Sequence, residues 1–393
     1  MMHCNPVKSQ IGHGPSQREI QMNHRILILG ASYGSLLGSK LLMAGHHVSL
    51  VCTAPTARLI RREGTRVRFP LRDRDPVEVD SRRLPGTLDA VTPADADPAA
   101  FDLVVLGMQE SQYGGEGVRA LMRRIARSRK PCLAIMNMPP LPYLRRLPGL
   151  FVDALESCYT DPELWDGFDP ARMTLASPDP QAFRPPEAAK NVLQVGLPTN
   201  FKAARFESDA HNALLRDIGA GIDAACYEAG GEALEIPVKL KIHDSLFVPL
   251  AKWPMLVTGN YRCIRRHDMI SIREAVHADL DRSRRIYDWT AGLCMSLGAA
   301  PGDLVPFDKY ARAAAGLAKP SSAARALFGG ARHIERVDRL LQRIAWQQGS
   351  ECAVLEEITG LVDARLRENR GRPQQPAAAE RPVFDFAPEP ALA

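Results

Sequence analysis

The chain has 393 residues, 45% apolar and 24% charged, a globular balance with enough core for two or three domains. No window approaches 18 uncharged apolar residues, which argues against a membrane span, and the net charge of +5 is scattered over pairs such as Arg61–Arg62 and Arg284–Arg285 with no nucleic-acid-binding module. The eight cysteines form no C-x-x-C pair and the histidines no metal-ligand spacing, so neither a disulfide frame nor a metal site is expected, and the thiols suit a reducing, cytoplasmic compartment.

Residues 1–24 are polar, with neither an apolar stretch nor a small-residue cleavage site, and read as a disordered leader. Residues 25–30 (RILILG) are a short, bounded apolar run, the pattern of a strand buried on both faces. Residues 35–44 carry helical spacing, Gly45 follows as a stop, and 47–52 (HVSLVC) read as a second buried strand. Residues 65–69 and 76–80 alternate like a half-exposed hairpin. A strand over 102–108, a helix over 116–128 and a strand over 131–137 continue the alternation, which implies a parallel sheet covered on both faces.

Residues 139–190 are rich in proline and give no clear period, while 192–206 hold one or two strands. Helical spacing then dominates 210–229, 238–260, 272–297 and 332–348, and the Pro- and Ala-rich residues 371–393 read as a disordered tail. The expected organisation is a nucleotide-binding domain over 25–205 and a mostly α-helical domain over 206–370.

The turn after the first strand is Gly30-Ala31-Ser32-Tyr33-Gly34-Ser35, with Gly38 beyond it. Glycine at 30 permits a sharp turn, glycine at 34 the approach of a phosphate, and glycine at 38 close helix–strand packing. With its flanking strand and helix the turn reads as a Rossmann-type dinucleotide site, the pyrophosphate lying on helix N–H groups near Ser32, Tyr33 and Ser35. The same residues spell G-x-S-x-G, but a nucleophile elbow on the first strand without an upstream oxyanion motif is a poor fit. The second strand ends in Cys52-Thr53-Ala54-Pro55-Thr56-Ala57-Arg58, without the acid that binds a ribose 2′-hydroxyl. Thr53 and Arg58 suit a 2′-phosphate, so NADPH is the expected cofactor, although Arg58 also reads as a solvated helix residue.

On the segments GASYGSLLGSKLLMAGHHVSLV, FDLVVLGMQESQ, CLAIMN, LAKWPMLVTGNYRCI and KPSSAARALFGGARHIERVDRLLQRI, in that order, the chain resembles the ketopantoate reductase (2-dehydropantoate 2-reductase) family over most of residues 25–350. The resemblance implies NADPH-dependent reduction of a small-molecule 2-oxo acid to a 2-hydroxy acid, with a homodimer as one assembly. It makes Lys252 the group that polarises the carbonyl oxygen and supplies its proton, Asn260, Ser321 and Ser322 substrate contacts, and Glu335 the acid that holds substrate hydroxyls. It puts Asn137 at a strand end near the nicotinamide and Gln109 among the cofactor contacts at the end of its own strand. Three positions depart from the family: Gln109 stands for a lysine, Met138 for a glycine and Leu256 for an asparagine. Taken alone, Lys252 reads as a surface lysine, Ser321 and Ser322 as a helix cap, and Glu335 as a helix acid paired with Arg332, Arg336 or Arg339. Two other functions fit the domain order: an opine-type dehydrogenase using His243-Asp244, and an NADP-binding sensor without turnover.

Overall fold

The computed structural model describes residues 23–372. Strand β1 (Arg25–Leu29) leads into helix α1 (Tyr33–Met43) and strand β2 (His47–Val51). Helix α2 (Ala54–Glu63) and the hairpin β3 (Arg66–Leu71) and β4 (Arg74–Asp80) come next. They are followed by β5 (Thr87–Val91), β6 (Leu103–Leu106), α3 (Glu116–Ser128) and β7 (Cys132–Ile135). The proline-rich stretch holds the short α4 (Leu141–Leu144), several 3₁₀ turns, β8 (Met173–Ser177) and β9 (Gln181–Phe183). Then come β10 (Val192–Leu197), β11 (Phe201–Ala204), α5 (Asp209–Ala224), the small hairpin β12 (Tyr227–Ala229) and β13 (Glu232–Leu234), and β14 (Leu240–His243). The remainder is helical: α6 (Lys252–Met255), α7 (Ile272–His277), α8 (Leu280–Ser296), α9 (Phe307–Ala314), α10 (Ser322–Phe328), α11 (Val337–Gln347) and α12 (Ala353–Gly371).

The main sheet has the order β14-β11-β8-β7-β6-β1-β2-β5. Strands β5, β2, β1, β6, β7 and β8 are mutually parallel, and β11 with β14 runs antiparallel to them. The order reverses between β1 and β6, where an open α/β sheet leaves a crevice. Period two along β1 sends Ile26 and Ile28 to one core and Leu27 and Leu29 to the other. The first core joins α1 and α5 to a second sheet, β4-β3-β10-β9. The second runs through Trp165 and Trp253 to Leu340 and Val362, so the C-terminal helices cover the opposite face. The α/β class and the helical C-terminal region agree with the sequence reading.

Several expectations change. Strand β14 belongs to the main sheet although it lies past residue 205, and residues 238–260 are this strand and a broken helix. The helix expected over 210–229 stops at Ala224, and that over 272–297 is interrupted where Asp279 caps α8. The expected leader and tail lie outside the described residues except at their inner ends: His24 is buried, and Gly371 closes α12. Among the described residues no helix is long and apolar enough to cross a membrane.

At the N-terminal edge of β1 and β2, the His24 amide donates to His46 Nδ1 at 3.3 Å, and His46 is fully buried with Nε2 unpartnered. Burial, then the charge of His24, lowers the His46 pKa to about 4. The folded state therefore keeps His46 neutral while the unfolded chain protonates near pH 6.5, so stability is full above pH 6.5 and falls towards pH 4. We expect this one group to remove about 3 kcal/mol over that window. Denaturant midpoints at pH 7 and pH 4.5 should converge in His46→Asn; an unchanged acid loss in the variant would show that other groups carry it.

Candidate active site

Four of the residues selected from the sequence for the cofactor stand where parallel strands end. Gly30 follows β1, Thr53 follows β2, Gln109 follows β6 and Asn137 follows β7. Gly30 has φ +102°, and a Cβ there would lie 2.8 Å from Met108 Cγ, so glycine is required by both backbone and space. Two glycine roles differ from expectation. A Cβ at Gly34 would come within 2.7 Å of Ile28 Cγ2, so Gly34 is the residue that seats α1 on β1, whereas Gly38 leaves ordinary contact distances of 3.6 Å and more.

Ser32 precedes α1 without a side-chain cap, leaving the helix N-terminus to an anion. Ser35 instead turns its hydroxyl back to the Ala31 carbonyl. Tyr33 donates to the Pro180 carbonyl and packs edge-on against Phe201. Thr53 and Arg58 are exposed at the start of α2, with Thr53 Oγ1 donating to Thr56. Gln109 is exposed, and its amide donates to the Gln112 side chain at 3.0 Å.

Lys252 opens α6, in a helical stretch that begins as a 3₁₀ turn at Val248–Ala251 and runs on through a π-helix at Leu256–Asn260. The π turn breaks the α-helical spacing by which Lys252 and Asn260 share a face. Gly259 makes the turn possible: a Cβ there would strike the Tyr310 hydroxyl, which donates to the Met255 carbonyl at 3.1 Å. Lys252 Nζ donates to the Pro178 carbonyl at 2.5 Å and lies 3.4 Å from Asp179 Oδ1. Its side chain is 23% exposed. Burial lowers its pKa, and the carboxylates of Asp179 and Glu335 oppose that shift.

Glu335 is 9% exposed and sits just before α11. None of its expected arginine partners holds it: Arg336 takes Asp338 and Asp363, Arg339 takes Asp363, and Arg332 bonds the Arg370 carbonyl. Its Oε2 accepts from Asn137 Nδ2 at 3.3 Å, while Oε1 and Asn137 Oδ1 are buried without partners. Burial raises its pKa to about 7; the Asn137 bond and the backbone amides of Glu110 and Met138 oppose the rise, and the charge of Glu110 adds to it. Tyr261, next to Asn260, donates to the Glu335 carbonyl at 2.5 Å and fixes the backbone there. The arrangement therefore joins one half-buried ammonium to one buried carboxyl that titrates near neutrality, beside a helix N-terminus open to an anion.

The serines behave differently. Ser321 Oγ donates to the Asn260 carbonyl at 2.6 Å and accepts from the Ala324 amide, so its hydroxyl caps α10 and ties it to the π-helix. Ser322, the first residue of α10, is half-buried. Leu256 and Met138 are buried, and Met138 Sδ accepts from the Arg336 amide. His243 and Asp244 do not form an isolated acid–histidine pair, because Asp244 bonds Arg216 at 3.0 Å. Asp179, Lys202, Glu110 and Tyr261 were not selected from the sequence. Only Asp179 carried a signal, as the centre of a Pro-Asp-Pro turn, and that signal names no partner.

No family model matches the sequence. No curated protein matches it either. Solved structures match the fold. A D-mandelate dehydrogenase determined with NADH and anilino(oxo)acetate superposes with a TM-score of 0.60 at 13% identity, over 88% of this chain and 99% of its own. A 2-dehydropantoate 2-reductase from Methylococcus capsulatus gives 0.58 at 13%, over 89% and 98%. A dimeric ketopantoate reductase from Staphylococcus aureus gives 0.53 at 9%, over 88% and 99%. At these identities the likeness is one of fold.

Proposed function

We propose that this chain is an NADPH-dependent reductase of a 2-oxo acid, with ketopantoate the first substrate to test. The observation that carries the reading is the convergence of Lys252, Glu335 and Asn137 at the carboxyl ends of the parallel strands, next to the Gly30 turn. The turn supports a dinucleotide: Gly30 is sterically required, and the uncapped α1 suits a pyrophosphate. Thr53 and Arg58 would hold a 2′-phosphate, and Asn137 with its unpartnered Oδ1 would meet the nicotinamide amide. When bound, the nicotinamide supplies a hydride to the carbonyl carbon.

The chain's residues do the rest. Lys252 Nζ draws charge from the carbonyl oxygen and gives it a proton. Asn260 and Ser322 bind the carboxylate side, while Ser321 holds α10 in register with the π-helix. Glu335 meets a hydroxyl further along the substrate. Leu256, 7% exposed, stands where the family has an asparagine, which favours a more apolar oxo acid than ketopantoate. We also propose a homodimer in the cytoplasm.

The test is NADPH and NADH oxidation with ketopantoate, phenylglyoxylate and branched 2-oxo acids, each with and without an amino acid. We expect turnover with an oxo acid alone and preference for NADPH. Turnover only with an added amine would establish an opine-type enzyme. Tight dinucleotide binding without turnover would establish a sensor.

A further inference from the structure

The Pro178-Asp179-Pro180 turn is the entire link between β8, which ends at Ser177, and β9, which starts at Gln181. It thus spans the main and second sheets. Three side chains converge on it. Lys252 donates to the Pro178 carbonyl at 2.5 Å and pairs with Asp179 Oδ1 at 3.4 Å. Lys202, on β11, holds Asp179 Oδ2 at 3.2 Å. Tyr33, at the start of α1, donates to the Pro180 carbonyl. The two prolines fix φ on either side and offer no N–H, so these residues present only acceptors apart from the Asp179 amide.

An ammonium has three N–H donors. One is spent on the Pro178 carbonyl, the Asp179 carboxylate stands at ion-pair distance on another side, and a donor is left for a ligand. We propose that Asp179 is the positioning residue of Lys252: with the Pro178 carbonyl it aims the remaining N–H at the substrate oxygen and keeps the amine protonated in a buried place. Lys202 shares the same carboxylate through its other oxygen. Tyr33 ties the same turn to the helix end assigned to the dinucleotide. The groups facing Lys252 are then Asp179, Lys202 and Glu335, and burial is the force that Asp179 opposes. Asp179 acts through Lys252 and touches no reacting atom. The inference rests on the reductase reading for its meaning, but its test can be run without turnover.

The test follows Lys252 directly. The full chain is produced with ¹³C,¹⁵N-labelled lysine, the Lys252 Cε resonance is assigned by its loss in Lys252→Arg, and its shift is followed against pH in wild type, Asp179→Asn and Lys202→Gln. The Lys252 titration should move down by about one to three pH units in Asp179→Asn, as for loss of a close opposite charge. It should move up in Lys202→Gln, where a like charge goes and Asp179 is left to Lys252 alone. Lys202 is partly exposed, so that variant keeps the test open if Asp179→Asn does not fold. In turnover, the alkaline limb of kcat should move down in Asp179→Asn while dinucleotide affinity stays, and Asp179→Glu should recover it. Unmoved titrations in the folded variants overturn the proposal. Moved titrations with no oxo-acid turnover in wild type retain the Asp179–Lys252 coupling and reject the reductase reading instead.

Discussion

Lys252→Ala should lower oxo-acid turnover by about 10²–10⁴-fold with dinucleotide binding intact, the range for losing a general acid. Hydride arrival leaves negative charge on the carbonyl oxygen, and Lys252 is the ammonium that the fold holds beside Glu335 at the strand ends. The factor corresponds to about 2.7–5.5 kcal/mol of transition-state stabilisation. Binding should survive because the turn proposed for the dinucleotide lies between β1 and α1, whereas Lys252 stands on α6. Stability should change little in comparison, since Asp179 retains Lys202. The measurements are steady-state turnover and dinucleotide titration by fluorescence. Turnover within threefold of wild type would remove Lys252 from the mechanism.

Arg336→Ala should destabilise the protein by about 3–5 kcal/mol, the cost of leaving a buried charge without its partner. Arg336 grips Asp338 with two bonds, of 3.0 and 2.9 Å, and reaches Asp363 with a third of 2.7 Å. Asp338 has no exposure at all. The ion group also locks the turn that carries Glu335, one residue before Arg336, so Glu335 should lose its alignment with Asn137. Chemical denaturation measures the loss. Arg336→Met with Asp338→Leu removes both charges and should regain most of the stability. A single variant within 1 kcal/mol of wild type would mean that water reaches Asp338 readily.

The first βαβ unit was legible because its strands are short apolar runs and Gly30 and Gly45 bound its helix. Strand β8 was not, since Met173–Ser177 is five buried residues among prolines and 3₁₀ turns, too short for a period to show. Strand β5 (TLDAV) was missed because Thr87 and Asp89 are exposed and only Ala90 is buried, so it carries no apolar run. The helix expected over 238–260 failed because LKIH is apolar enough to merge with the segment after it, and local spacing cannot reveal that β14 finds β11 in a sheet. The site divides along the same line. Gly30 carries its reason in local sequence. Lys252 and Glu335 acquired a role only through resemblance, and Asp179 through contacts across 73 residues of chain that no local pattern encodes.

The second sheet has a consequence for how the chain reaches this structure. Its central pair, β3 with β10, joins Val67 to Leu193, and between them in sequence lie β5, β6, β7 and β8 of the main sheet. Closing so long a loop costs entropy that is recovered only once the intervening strands are in place. We therefore expect the β3–β10 joint to close late in folding, so that substitutions that weaken it mainly speed unfolding and leave the refolding rate nearly constant.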